Sequence, residues 1–262
     1  MRSDLPEISL RPAETEDLPG VADLYLRVRA DAVPMMPAPE HTAAEVRAWV
    51  RRWDLRRQDV WVAEAAGRLL GYARAASAWL DDLYVDPAHQ RAGIGTMLLE
   101  LVRASRPDGF CLWVFESNRP ARSFYRRHGL VELEHTDGSG NQERAPDLRV
   151  AWPGERPVTF FRKLVDEVDA ELGELLARRA ALTRAIQPYK SERSRDPERE
   201  RAIARDMARR APALGDERLA RIMHVIITES LGAAEQAPPD QPPLPPAATT
   251  SRRHQPISRK DP

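Results

Sequence analysis

Apolar positions in the first 150 residues fall into short runs with two different periods. Residues 8–11 alternate like a strand, and residues 16–30 carry their apolar side chains at helical spacing. Thr42-Ala43-Ala44-Glu45 has the capping-box spacing, in which the threonine caps an amide of the first turn and the glutamate reaches back. A second helix is therefore predicted to start there. Residues 60–65 and 69–76 form a predicted hairpin across Ala66-Gly67-Arg68, and a further strand at 80–85 is ended by Asp86-Pro87. The pattern then predicts a helix at 95–105, a strand at 110–115, a helix at 119–128 and a strand at 130–134. Such interleaving predicts an α/β domain that reaches to about Trp152.

Beyond Pro153-Gly154-Glu155-Arg156-Pro157, which reads as a linker, the strand signal stops. Val165, Val168, Leu172, Leu175, Leu176, Leu182 and Ile186 recur at helical spacing, so residues 161–186 read as one long amphipathic helix. Two shorter helices, 198–210 and 216–233, are separated by Ala211-Pro212-Ala213. From Ala237 onward the prolines Pro238, Pro239, Pro242, Pro243, Pro245 and Pro246 predict an unpacked tail. The expected organisation is an α/β domain over 1–155, an all-α domain of three helices over 156–236 and a proline-rich tail over 237–262.

Charge narrows the range of partners. Forty basic residues balance forty acidic ones, which argues against a nucleic-acid or other polyanionic partner and leaves small anionic ligands open. A single cysteine, Cys111, the lack of an apolar leader in Met1-Arg2-Ser3-Asp4-Leu5-Pro6 and the absence of any run of about 18 apolar residues point to a cytoplasmic protein outside the membrane. No metal-ligand pattern stands out. The only lysines are Lys163, Lys190 and Lys260 in a chain that otherwise uses arginine, so each marks a place where an ammonium is wanted.

The first chemical signal is Gln90-Arg91-Ala92-Gly93-Ile94-Gly95-Thr96, set between a strand and a helix. Glycines there let a ligand approach the backbone, and the amides at a helix start favour phosphate oxygens. Leu83-Tyr84-Val85-Asp86-Pro87, this Gln-x-x-Gly-x-Gly loop and Asn118-Arg119-Pro120-Ala121-Arg122-Ser123-Phe124-Tyr125-Arg126-Arg127-His128-Gly129-Leu130 follow in order. Together they resemble the GNAT superfamily of N-acetyltransferases over residues 8–152. The resemblance implies a mixed sheet splayed between the strands at 80–85 and 110–115, with acetyl-CoA as co-substrate and no metal. It assigns the pantetheine to Leu83 and Val85 and the pyrophosphate to Gln90, Arg91, Ala92, Gly93, Ile94, Gly95 and Thr96.

By the same resemblance Tyr125 protonates the departing CoA sulfur, and Asn118 contacts the co-substrate or caps its helix. Transfer to an amine also needs the amine neutral. Asp81, Asp82 and Glu116 are the candidate bases, and each also reads as a surface acid. The polar stretch 137–147 either lines the acceptor pocket or is a turn-rich hairpin loop.

The second signal runs Arg162, Asp169, Arg179 and Lys190, then Asp196-Pro197-Glu198-Arg199-Glu200, then Thr228-Glu229-Ser230. It resembles the all-helical, type II class of chorismate mutase over residues 161–233. The implied chemistry is the pericyclic conversion of the chorismate dianion to prephenate. That reaction requires a held conformer and stabilisation of charge on the ether oxygen. The resemblance gives Arg179 and Arg199 to carboxylates, Lys190 to the ether oxygen, Glu200 and Asp196 to the hydroxyl, and Ser230 to a carboxylate. Arg162 would come from the other subunit of a homodimer. Three departures stand against turnover. Ala234 occupies a position where the class has a second donor, Pro188 precedes Lys190, and the connection from Lys190 to Asp196 is short. A non-catalytic dimerisation or aromatic-precursor-sensing domain is therefore the alternative, as is action on a chorismate relative.

Overall fold

A computed structural model describes residues 7–189 and 196–236, and its chain divides into two compact units after Arg162. The first is a seven-stranded mixed sheet with helices on both faces. Its elements are β1 (Ser9–Pro12), α1 (Leu18–Asp31), α2 (Ala43–Val50), β2 (Asp59–Ala65), β3 (Arg68–Ala76), β4 (Trp79–Val85), α3 (Ile94–Ser105), β5 (Phe110–Phe115), α4 (Arg119–Arg127), β6 (Val131–Thr136) and β7 (Asp147–Trp152). The strand order is β1-β2-β3-β4-β5-β7-β6, antiparallel throughout except between β4 and β5.

Alternation along the strands feeds two cores. Val60, Val62 and Tyr72 pack with Leu18, Val21, Leu24 and Val28 of α1 and Val46 and Val50 of α2. The opposite face, including Ala63, Ala73 and Leu112, packs with Leu98, Leu99 and Val102 of α3 and Tyr125 of α4. The start of α2 follows the sequence: the Glu45 amide donates to Thr42 Oγ1 at 3.3 Å and the Thr42 amide to Glu45 Oε2 at 2.7 Å. The polar stretch at 137–147 leads into β7, a strand not foreseen, which inserts between β5 and β6.

The segment 153–157 is not a loose linker. Gly154 sits at φ +70°, where a Cβ would lie 2.4 Å from the Pro107 carbonyl oxygen, and the Glu155 amide donates to that same oxygen at 2.9 Å. Pro157 is already the first residue of α5 (Pro157–Ile186), and Phe160 is buried. The compact unit thus extends past the expected boundary at 155, to Arg162.

The second unit is helical. It holds most of α5, then α6 (Pro197–Arg210) and α7 (Asp216–Gln236). Ala204 and Ala208 of α6 and Leu219, Met223 and Ile227 of α7 are buried. On α5 the apolar stripe is open: Val165, Val168, Leu172, Leu175, Leu182 and Ile186 are all exposed, between 46% and 63%. The α-helix stops at Ile186, and Pro188 falls in a single 3-10 turn over Gln187–Tyr189, as its missing amide hydrogen requires.

Candidate functional site

Strands β4 and β5 share one residue pair, Trp79 with Cys111, next to a bond from the Cys111 amide to the Ala78 carbonyl at 2.9 Å. Past that pair they diverge. A cavity of about 820 Å³ opens in the gap, and Leu83, Val85, Gln90, Arg91, Gly93, Gly95, Thr96, Asn118 and Tyr125 all line it. Of the expected co-substrate residues only Ala92 and Ile94 do not; Ile94 is buried as the first residue of α3.

Gly93 is the N-cap of α3 at φ +85°, and a Cβ there would meet no atom within 4 Å. No side chain caps this helix, and its first intrahelical bond runs from the Met97 amide to the Gly93 carbonyl. The amides of Ile94, Gly95 and Thr96 therefore precede the helical ladder, beside open space. A diphosphate fits this cradle. His128 completes the wall: its Nδ1 lies 2.9 Å from the Phe124 carbonyl and its Nε2 3.1 Å from Thr96 Oγ1. A carbonyl can only accept, so Nδ1 carries a hydrogen. Asn118 caps α4 through its Oδ1, which accepts from the Ala121 amide at 3.2 Å, and it faces the cavity as well.

Tyr125 is 8% exposed, and burial pushes its phenol well above the ordinary range, so it stays protonated. The three candidate bases separate clearly. Glu116 is exposed and does not line the cavity, whereas Asp81 and Asp82 are buried there rather than solvated at the surface. A β-bulge explains how neighbours in sequence share one environment. Arg74 is opposite Asp82 and Ala75 opposite Leu80, which leaves Asp81 as the extra residue.

Both carboxylates reach Arg74, Asp82 at 2.6 Å and Asp81 at 3.2 Å. Arg74 is fully buried, with its guanidinium 4.6 Å from the Trp53 ring centroid and 5.3 Å from that of Trp49. One cation cannot hold two acids equally. Burial, reinforced by the neighbouring Asp82 and only partly opposed by Arg74, pushes the Asp81 carboxyl up to about 7. Sequence reasoning named Asp81 but missed Arg74, because an arginine inside a strand reads as an exposed position. Across the cavity Arg29, 1% exposed, pairs with Glu143 at 3.0 Å. That contact brings the 137–147 stretch into the cavity wall.

In the helical unit Arg179 Nη1 donates to Ser230 Oγ at 2.6 Å and to the Ile226 carbonyl at 3.3 Å, joining α5 to α7. Asp196 instead caps α6, accepting from the amides of Glu198 and Arg199 at 3.0 Å each. Arg162 and Arg199 are exposed, Glu200 is half-buried, and Lys190 lies outside the described residues. The described chain thus joins Arg179 to Ser230. Among the described residues no helix is long and apolar enough to cross a membrane, and no cluster of metal-ligating side chains occurs.

Comparison with known proteins matches the two units separately. The family model described as "Acetyltransferase (GNAT) domain" matches residues 56–132, and "Chorismate mutase type II" matches residues 161–235. The uncharacterized N-acetyltransferase YafP of Escherichia coli K12 is 24% identical over 151 residues, which are 55% of this chain and 90% of that protein. The probable N-acetyltransferase Rv2775 of Mycobacterium tuberculosis is 34% identical over 87 residues, covering 30% of this chain and 48% of that one. Among solved structures, the apo form of YjaB from Escherichia coli is 24% identical with a TM-score of 0.47, over 56% of this chain and 99% of that one.

Proposed function

We propose that this chain, a GNAT acetyltransferase domain joined to a type II chorismate mutase domain, transfers the acetyl group of acetyl-CoA to a small amine, with Asp81 as base and Tyr125 as acid. The observation that carries the reading is the single-pair contact of β4 with β5, which opens a cavity where the phosphate-accepting loop, Asp81 and Tyr125 meet. A buried carboxyl poised near 7 takes a proton from an arriving ammonium far better than an ordinary aspartate. Attack of the amine on the thioester forms the C–N bond and breaks the C–S bond. Tyr125, kept protonated by burial, then supplies the proton for the sulfur. Arg74 pairs with Asp82 at 2.6 Å and two tryptophans flank its guanidinium, while Asp81 stands farther off at 3.2 Å as the acid with the raised pKa. A cytoplasmic location goes with this reading, since acetyl-CoA is held inside cells. Release of CoA thiol, dependent on an added amine and lost in Asp81→Asn, is the test. Unchanged turnover in that variant would remove Asp81 from the role.

For the helical domain the reading is a homodimer built on α5, with chorismate or a related dianion bound near Arg179 and Ser230. The exposed apolar stripe of α5 supports the pairing, because a second copy would cover it. Arg162, Lys190, Arg199 and Glu200 would complete the site, with Asp196 confined to capping. Two observations favour a sensing domain over a mutase: the α-helix ends before Lys190, and Ala234 offers no hydrogen-bond donor. Loss of one such donor costs about 3 kcal/mol of transition-state stabilisation. Prephenate formation by purified protein supports the mutase. Binding of a dianionic chorismate analogue without turnover supports the sensor, and loss of that binding in Arg179→Ala ties it to this site.

A further inference from the structure

The acetyltransferase reading leaves the amine open, and the cavity wall on the side away from the phosphate-accepting loop narrows it. This wall is aromatic. Trp79 of β4 and Trp113 of β5, one from each diverging strand, are stacked with ring planes 11° apart and centroids at 6.1 Å. Phe115 follows two residues along β5, and Tyr25 of α1 meets Tyr84 edge to face at 5.4 Å. Side chains from three elements thus present flat apolar surface to one space.

Charge in that wall is nearly self-contained. Arg29 is paired with Glu143, and Arg74 with Asp82. With Asp81 ionised, the set of Arg29, Arg74, Asp81, Asp82 and the partly buried Glu143 holds two formal cations against three formal anions. The surplus negative charge matches one ammonium and repels a carboxylate, and the exposed Asp31 at the end of α1 acts in the same sense. A second ammonium would meet cations already in place: the Arg29 guanidinium lies 5.7 Å from the Phe115 centroid and that of Arg149 5.1 Å from the Trp79 centroid. Arg91 and Arg127 line the cavity as well, on the loop before α3 and on α4, the elements assigned to the anionic co-substrate.

We propose that the acceptor is a primary amine carrying an aromatic ring and no acidic group, with its ring against Trp79, Trp113 and Phe115 and its nitrogen toward Asp81. The proposal rests on the acetyltransferase reading and deepens it. In the step, the ammonium gives one proton to Asp81, and the neutral nitrogen attacks the carbonyl carbon of acetyl-CoA. The nitrogen then sheds its second proton as the C–S bond breaks, the thiolate leaves as a thiol protonated through Tyr125, and one proton passes to solvent.

The experiment uses the full chain and follows CoA thiol release with 2-phenylethylamine, hexylamine, phenylalanine and spermidine. Binding of acetyl-CoA is measured in parallel by thermal shift. The expected kcat/KM for 2-phenylethylamine is at least about tenfold above each of the others, the scale on which one aromatic contact is felt. Trp113→Leu should erase that preference, and the milder Trp113→Phe, which keeps a ring, should retain it. The proposal is overturned if phenylalanine, spermidine or hexylamine equals the aromatic amine. It is also overturned if acetyl-CoA binds and 2-phenylethylamine is not acetylated, an outcome that leaves the acetyltransferase reading standing. Failure of acetyl-CoA to bind would remove that reading and the proposal with it.

Discussion

The two units of this chain use their apolar residues in opposite ways. In the α/β unit, alternation along the strands fills a core on each face of the sheet, and Val62, Tyr72, Leu98, Leu99 and Leu148 are fully buried. The helical unit leaves the apolar stripe of its longest helix in the open, with Val168 60% and Leu182 63% exposed. The sites follow the same division. The groups that line the α/β cavity come from one folded unit, whereas the helical unit joins Arg179 to Ser230 and leaves Arg199 exposed. A helix with such a stripe is folded by what covers it. On the proposed reading one unit is complete in a single copy, and the other pairs with a second.

That contrast can be broken most forcefully at α5. The double substitution Val168→Asp with Leu175→Asp in the full chain should weaken self-association on the order of 10⁶-fold, since each lost apolar side chain is worth about 2 kcal/mol and the pair occurs twice in a dimer. Sedimentation velocity reads the change directly. An unchanged sedimentation coefficient would mean that the stripe is not the pairing surface. The acetyl-CoA cavity should be indifferent to this change, which sharpens the comparison.

Within the α/β unit, Asp81→Asn should lower kcat/KM on the order of 10²-fold and remove the rising limb near pH 7, because the base must be ionised to act. The same substitution should stabilise the protein at alkaline pH. The Asp81 carboxyl is raised from 3.8 to about 7 in the fold, so the folded state holds a proton that the unfolded chain has lost across that window. Stability therefore falls as pH rises from about 4 to 7, and above 7 the full cost remains, on the order of 4 kcal/mol. Asparagine escapes that cost. Denaturant unfolding at pH 8 should show the gain, and at pH 4 it should vanish; a loss of stability at pH 8 would contradict the assigned direction. Tyr125→Phe should cost less, about tenfold to 10²-fold in kcat, since water can deliver the last proton. Thr42→Ala should be the mildest change, lowering stability by about 1 kcal/mol through the lost cap of α2 without moving kcat/KM.

Much of the α/β unit was legible because its signals are local. The strand at Phe110–Phe115, the capping box at Thr42 and the hairpin over Ala66-Gly67 were read from residues adjacent in sequence. What escaped depends on distant partners. β7 follows a polar stretch, and Leu148, Val150 and Trp152 fall in no predicted element, although their alternation is that of a strand. Arg74, Asp81 and Asp82 read as solvated charges, because nothing local announces a bulge that turns both aspartates toward one buried arginine between two tryptophans. In the helical unit the helices themselves were plain from the apolar period and from the break at Ala211-Pro212-Ala213. Which side chains meet was not, since the contact of Arg179 with Ser230 joins helices about fifty residues apart in sequence.

The central claim, that the α/β unit alone binds acetyl-CoA through the loop before α3, is tested most directly by a thermal melt of the full chain. At acetyl-CoA near 100 times its Kd, the transition of the α/β unit should rise by roughly 5–10 °C. Gly93→Glu should abolish the rise. No side chain or backbone atom lies within 4 Å of a Cβ at that position, so the glutamate enters the open space in front of the helix start. A left-handed non-glycine residue costs only about 1–2 kcal/mol, so the ligand-free variant should still unfold cooperatively. A melt insensitive to millimolar acetyl-CoA, or a rise that survives Gly93→Glu in a folded variant, would contradict the account.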